Sequence, residues 1–162
     1  IQCKKGSGGT IYYDKELSDF SVRFEYKVPP GGNNGLAIRY PGSGDTAYVG
    51  MCELQVLDDT AKKYAKLHPA QYHASAYGMV AAERGYQRRV GDWNFQQVTV
   101  AGSTITVEMN GTRILTADLA NVEKPMYDIN KFKGRLRKSG FFGFAGHGDA
   151  VSFRNVQIKS LK

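Results

Sequence analysis

The chain has 162 residues, 41% of them hydrophobic and 23% charged, which suits one domain with a two-layer core and excludes a disordered or fibrous protein. The net charge is +7 and gathers at Arg84–Arg89 and over Lys131, Lys133, Arg135, Arg137 and Lys138. No nucleic-acid-binding signature accompanies that charge, so it reads as solvated loop and strand edge, and no apolar run is long enough to cross a membrane.

The first nine residues carry neither a signal-peptide pattern nor an initiator methionine, which reads as a trimmed or mature start. From Phe20 to Val28 apolar residues alternate strictly with polar ones, the mark of a half-buried strand that Pro29, Pro30, Gly31 and Gly32 end. Leu36–Tyr40 and Tyr48–Leu57 read as the next two strands. Between Asp58 and Asp92 the pattern stops; Thr60–Leu67 could make two helical turns at most. This long stretch carries Tyr64, His68, Tyr72, His73, Tyr77 and Tyr86. Aromatic rings on a long loop either stack on sugar faces or pin the loop to the sheet behind it.

Trp93–Ala101 and Ser103–Met109 are strands around Gly102, with Trp93 expected in the core. Asn110-Gly111 is a strong hairpin signal leading into Thr112–Thr116, and its match to a glycosylation sequon is better explained by chance. Asp118–Ser139 is a second stretch without strand pattern, after which Phe141–Gly146 and Val151–Ile158 close the chain. Many short strands, turn signals and almost no helix predict an all-β, two-sheet antiparallel sandwich that fills residues 1–162 as one domain. Cys52 sits in a strand as a small hydrophobe, and a Cys3–Cys52 bridge could form only in an oxidising compartment.

With Leu54 and Val56 inward, Glu53 and Gln55 face the opposite side, their alpha carbons roughly 6.8 Å apart. With Phe142 and Phe144 inward, Gly143, Ala145 and His147 share an outer face, where two tiny residues beside a histidine leave floor space. The same alternation turns Ala37 and Arg39 outward. A sheet face built this way can hold a ligand. The plainer alternatives are that His147 caps a turn and that Arg39 pairs with Glu53.

Several ordered pieces carry a resemblance: Ser18-Asp19-Phe20, Gly31 to Arg39, Glu53-Leu54-Gln55-Val56-Leu57-Asp58, Ala76-Tyr77-Gly78, Gly91-Asp92-Trp93-Asn94, Asn110-Gly111, Gly143 to Gly148 and Phe153-Arg154-Asn155-Val156. Together the chain resembles the 3-keto-disaccharide hydrolase domain family, a concanavalin A-like jelly-roll group. Two departures stand out: the family usually has Glu where this chain has Asp92, and more strand before Gly8-Gly9. The resemblance implies a carbohydrate substrate and a periplasmic or cell-surface location. It places Glu53, Gln55, Arg39 and His147 in the cleft, with Asn34, Asp58 and Tyr77 near it; His73 joins them as a candidate sugar contact from the same loop.

An ordinary glycosidase uses two carboxyl groups about 5–9.5 Å apart. Here the position alternating with Glu53 is Gln55, an amide that cannot shuttle a proton. Asp58 and Asp59 are the remaining acids, both at the strand's end. A ketone at sugar C3 offers another chemistry, because it acidifies the C2 proton. Glu53 or His147 would be the base and Arg39 or a divalent metal would stabilise the enolate. Glu53 and His147 are also the candidate ligands of that metal. A non-catalytic carbohydrate-binding module and an ordinary glycoside hydrolase are the alternatives.

Overall fold

The computed structural model describes residues 1–162. Nine strands form in chain order: β1 Gly8–Tyr12, β2 Phe20–Lys27, β3 Asn33–Tyr40, β4 Cys52–Leu57, β5 Asn94–Ala101, β6 Thr104–Met109, β7 Thr112–Asp118, β8 Phe141–His147 and β9 Ser152–Ser160. They make two sheets, β1-β8-β3-β4 and β7-β6-β5-β2-β9, with every paired neighbour antiparallel. The two sheets stack as the expected jelly-roll sandwich.

Period two explains the stacking. On β2, Phe20, Val22, Phe24 and Tyr26 are buried, while Ser21, Arg23, Glu25 and Lys27 stay at least partly in solvent. They meet Leu36 and Ile38 of β3, Leu54 and Val56 of β4, and Phe142 and Phe144 of β8 in one cluster of 30 buried residues. Edge-to-face contacts hold Phe24 against Phe144 and Phe20 against Phe142.

Two expectations from the sequence need correction; an N-terminal strand escapes the sequence reading, and the sequence leaves the cysteine pairing open. Residues 46–49 form a one-turn helix, α1 (Thr46–Val49), capped by the Asp45 side chain, and the strand begins only at Cys52. Gly8–Tyr12 is a strand, β1, whose residues lie mostly in solvent, so it carries no buried alternation to read. Trp93 is not core: it is half-buried, with the Arg154 guanidinium 4.0 Å and the Lys27 ammonium 4.9 Å from its ring. The Cys3–Cys52 bridge does not form; both thiols are free, Cys52 in the core and Cys3 against the Asn34 amide.

Candidate functional site

Strand register decides what the outer face of the four-stranded sheet presents. Ala37 pairs with Glu53 and with Gly143; Gly35 pairs with Gln55 and with Ala145; Asn33 pairs with Leu57. Small residues on β3 and β8 therefore leave a floor on which Glu53, Gln55 and His147 are the large polar groups. Over this floor lies a pocket of ≈ 290 Å³. Its walls are α1 with Asp45 and Tyr48, and the long loop with Tyr64, Gln71 and Tyr77.

Glu53 and His147 meet in the pocket, His147 Nε2 lying 3.0 Å from Glu53 Oε1. The other Glu53 oxygen accepts a short hydrogen bond from the Thr46 hydroxyl. The Glu53 side chain is 5% exposed and that of His147 42%, so the carboxylate sits behind the imidazole and the imidazole reaches solvent. The hydrogen bond to Glu53 is the main cause that raises the His147 pKa, against the effect of burial. Glu53 lies across Gly35: a Cβ there would stand 2.2 Å from Glu53 Oε1 and 2.3 Å from its carboxyl carbon. Gln55 Nε2 donates to Asn33 Oδ1 at 2.7 Å, and Gln71 Nε2 donates to the Tyr77 hydroxyl at 3.1 Å. Burial pushes the Tyr48 and Tyr77 phenols up, so both remain protonated donors.

Glu53, His147, Gln55 and Tyr77 are therefore gathered as the sequence led us to expect; four other residues are not. Arg39 lies outside the pocket. β3 bulges between Ala37 and Tyr40, and Arg39 takes φ +46°, which breaks the alternation and turns its guanidinium away. Its donors reach Ser18 O at 2.8 Å, Gly102 O at 2.7 Å, Arg137 O at 2.8 Å and Asp19 Oδ1 at 3.0 Å. Nor does it pair with Glu53. Asn34 points inward, fully buried against Cys3, and its neighbour Asn33 takes the pocket position. Asp58 is consumed by its own turn, accepting from Gly31 N, Thr60 N and the Thr60 hydroxyl. His73 lies between the sheets, stacked 4.8 Å from the Tyr26 ring and bonded to Leu57 N and Gln96. Asp59 accepts from His73 N and pairs with Arg84, so neither Asp58 nor Asp59 lines the pocket.

Over residues 1–159 the chain matches the family described as the 3-keto-alpha-glucoside-1,2-lyase-like domain. The chain belongs to this family. A curated relative, 3-keto-disaccharide hydrolase of Bacteroides thetaiotaomicron, is 27% identical over an alignment 187 positions long, gaps included, that takes in 99% of this chain and 64% of the relative. The chain thus spans just under two thirds of that protein. A Parabacteroides distasonis protein described as a candidate glycosyl hydrolase superposes with TM-score 0.84 at 24% identity, over 99% of this chain and 90% of that one. A carbohydrate-binding module from Bacillus subtilis superposes with TM-score 0.61 at 15% identity, over 98% of this chain and 86% of the module. Both structures share the jelly-roll fold.

The lyase-like domain's pocket does not offer the ligand set of a catalytic zinc site. Glu53 and His147 satisfy each other, the second Glu53 oxygen is taken by Thr46, and no cluster of three His, Cys, Asp or Glu side chains forms around them. A catalytic zinc site uses three protein ligands. What the pocket does hold is one hydrogen-bonded carboxylate–imidazole pair and, in its wall, the Asp45 carboxylate, among neutral amides and phenols.

Sequence reasoning missed Asp45, Thr46, Tyr48, Asn33 and Gln71. Two signals were present. Asp45 follows the turn-forming Pro41-Gly42-Ser43-Gly44 and is an N-cap residue type. Counting back in twos from Ala37 gives Gly35 and then Asn33, not Asn34.

Proposed function

We propose that this chain is a glycosyl hydrolase acting on 3-keto-glycosides, with C2 proton abstraction and elimination at C1 as its chemistry. The observation that carries this reading is the Glu53–His147 pair at 3.0 Å on the floor of a sugar-sized pocket. A buried carboxylate behind an exposed imidazole is an acid–base unit of the kind that orients one ring nitrogen and frees the other. Glu53 accepts from Nε2–H, which leaves the Nδ1 lone pair for substrate.

In this mechanism His147 Nδ1 takes the C2 proton, and the electron pair moves onto the C3 carbonyl oxygen as an enolate. Neutral donors of Asn33, Gln55, Tyr48 and Tyr77 surround the pocket and suit that oxygen, the role Arg39 is placed too far away to fill. The enolate then collapses to a C1–C2 double bond while the bond from C1 to the leaving oxygen breaks. The imidazolium returns its proton to that oxygen. Water adds to C1 and C2 regains a proton, so the net change is hydrolysis.

Release of nitrophenol from a nitrophenyl 3-keto-glucoside, beside the unoxidised glucoside, tests the reading. Only the keto sugar should be cleaved, and in D₂O the released sugar should gain deuterium at C2 faster than it does without protein. His147→Ala should lower kcat at least about 100-fold, the usual scale of a general base. Glu53→Gln should move the acidic limb of the pH–rate profile to lower pH, because Glu53 is what raises the His147 pKa. Equal cleavage of the plain glucoside would replace the elimination with ordinary hydrolysis. Glycan binding without turnover would make the chain a binding module.

A further inference from the structure

The pocket's ≈ 290 Å³ is on the scale of one sugar ring, so anything attached to that ring extends past its rim. The two walls differ. On the long-loop side Tyr64 donates to Gly31 O at 3.1 Å, and Tyr77 accepts from Gln71, which leaves its O–H for the reacting ring. On the opposite side, Tyr48 lines the pocket and neither its hydroxyl nor that of Tyr127 has a partner within the protein.

Beyond Tyr48 the wall continues as an aromatic shelf. The Lys131 ammonium lies 4.8 Å from the Tyr48 ring and 3.8 Å from the Tyr127 ring. Both rings rest on buried Phe132, at 5.6 Å and 6.4 Å between centroids. Tyr127 is nevertheless 38% exposed.

This shelf is held rigidly, although it belongs to the stretch without strand pattern. Met126 N bonds Gly78 O at 2.7 Å, Asp128 caps Asn130 N at 2.9 Å, and Gly134 N bonds Tyr48 O at 2.9 Å. Gly134 packs so closely on Val49 and Gly50 that a Cβ would fall 2.1 Å from each carbonyl oxygen. An exposed ring on a fixed loop is a pre-organised contact, since little entropy remains to be lost on binding.

We propose that Tyr127 and Lys131, continuing the Tyr48 wall, form a leaving-group subsite that takes a second sugar ring. The Tyr127 ring holds the Lys131 ammonium over its face at 3.8 Å, and the sugar's hydroxyls take hydrogen bonds from that ammonium and from the Tyr127 and Tyr48 phenols. The proposal deepens the reading of the pocket as a 3-keto-glycoside site and rests on it.

Calorimetric titration separates the two. In the His147→Ala protein, where turnover is suppressed, a 3-keto-disaccharide and methyl 3-keto-glucoside are titrated with and without Tyr127→Ala. Lys131→Met, which keeps the apolar stem, is titrated as a second variant. Tyr127→Ala should weaken the disaccharide about tenfold, a loss of about 1.4 kcal/mol, and the methyl glycoside far less. Lys131→Met should show the same selectivity. Equal weakening of both ligands, no weakening of either, or no preference for the disaccharide before mutation overturns the subsite. Selective binding in a protein whose wild-type form cleaves no keto sugar would leave the subsite standing and sink the catalytic reading instead.

Discussion

Gly35 shows how little separates a working pocket from a blocked one. The Glu53 carboxylate occupies the space where a side chain at position 35 would stand. Because the atoms in the way are the far end of a flexible side chain, Gly35→Ala should displace the carboxylate rather than unfold the sheet. We expect kcat to fall about 100-fold, as a misplacement on the order of 1 Å can cause, with the melting temperature nearly unchanged. A large fall in melting temperature would mean the floor itself had moved. Asp45→Asn asks a different question. Asparagine caps a helix as well as aspartate, so α1 survives, and only the second carboxyl group of the pocket is removed. Elimination predicts a kcat within about tenfold of wild type, whereas general acid–base catalysis by Asp45, on a scale of about 100-fold or more, predicts near-complete loss. At this scale the site was legible wherever alternation held: Glu53, Gln55 and His147 fall where period two puts them. It failed at Arg39, where a bulge resets the alternation, and a bulge leaves no mark in residue types.

The long loop between β4 and β5 shows the same division among its aromatics. Tyr64 and Tyr77 face the pocket, while Tyr72 and His73 are buried and hold the loop down. The sequence offered both readings for these rings, and composition could not separate them because the outcome depends on which side of the loop each falls. α1 was hidden for another reason: four residues are too few to show a helical period, so they merged with the strand that follows. His73 gives the loop a pH limit. Burial depresses its pKa from 6.5 to about 4, and its Nδ1 accepts from Leu57 N at 3.3 Å, a bond that protonation would abolish. A base whose folded pKa is depressed takes up its proton more readily when unfolded. Stability should therefore be full above about pH 6.5 and fall as pH drops toward 4, by about 3 kcal/mol in all. Denaturant melts at pH 7.0, 5.5 and 4.5 would show this, and the drop should flatten in His73→Gln. A wild-type curve as flat as the variant's would remove His73 as the cause.

For the whole molecule, the jelly roll was legible because most strands bury one face and therefore alternate. β1 was the exception, its exposed pattern carrying no period. What the sequence could not show is the fastener at one end of the sandwich, since its parts lie far apart in the chain. Arg39 ends the strand β3 of one sheet, Asp19 leads into β2 of the other, Gly102 turns β5 into β6, and Arg137 belongs to the loop before β8. The guanidinium joins all of them, and its side chain is only 3% exposed. Arg39→Met leaves Asp19 its Lys162 partner but strands the Ser18, Gly102 and Arg137 carbonyls, each a cost of about 1–3 kcal/mol where buried, so it should lower stability by about 3 kcal/mol. Arg39→Lys should recover little, because a single ammonium cannot reach acceptors that three guanidinium nitrogens now serve. The outcome separates two roles for one residue. If Arg39 stabilised an enolate, Arg39→Lys would lose turnover at an unchanged melting temperature, as His147→Ala should. A fastener predicts the reverse: a lowered melting temperature, with kcat per folded molecule retained.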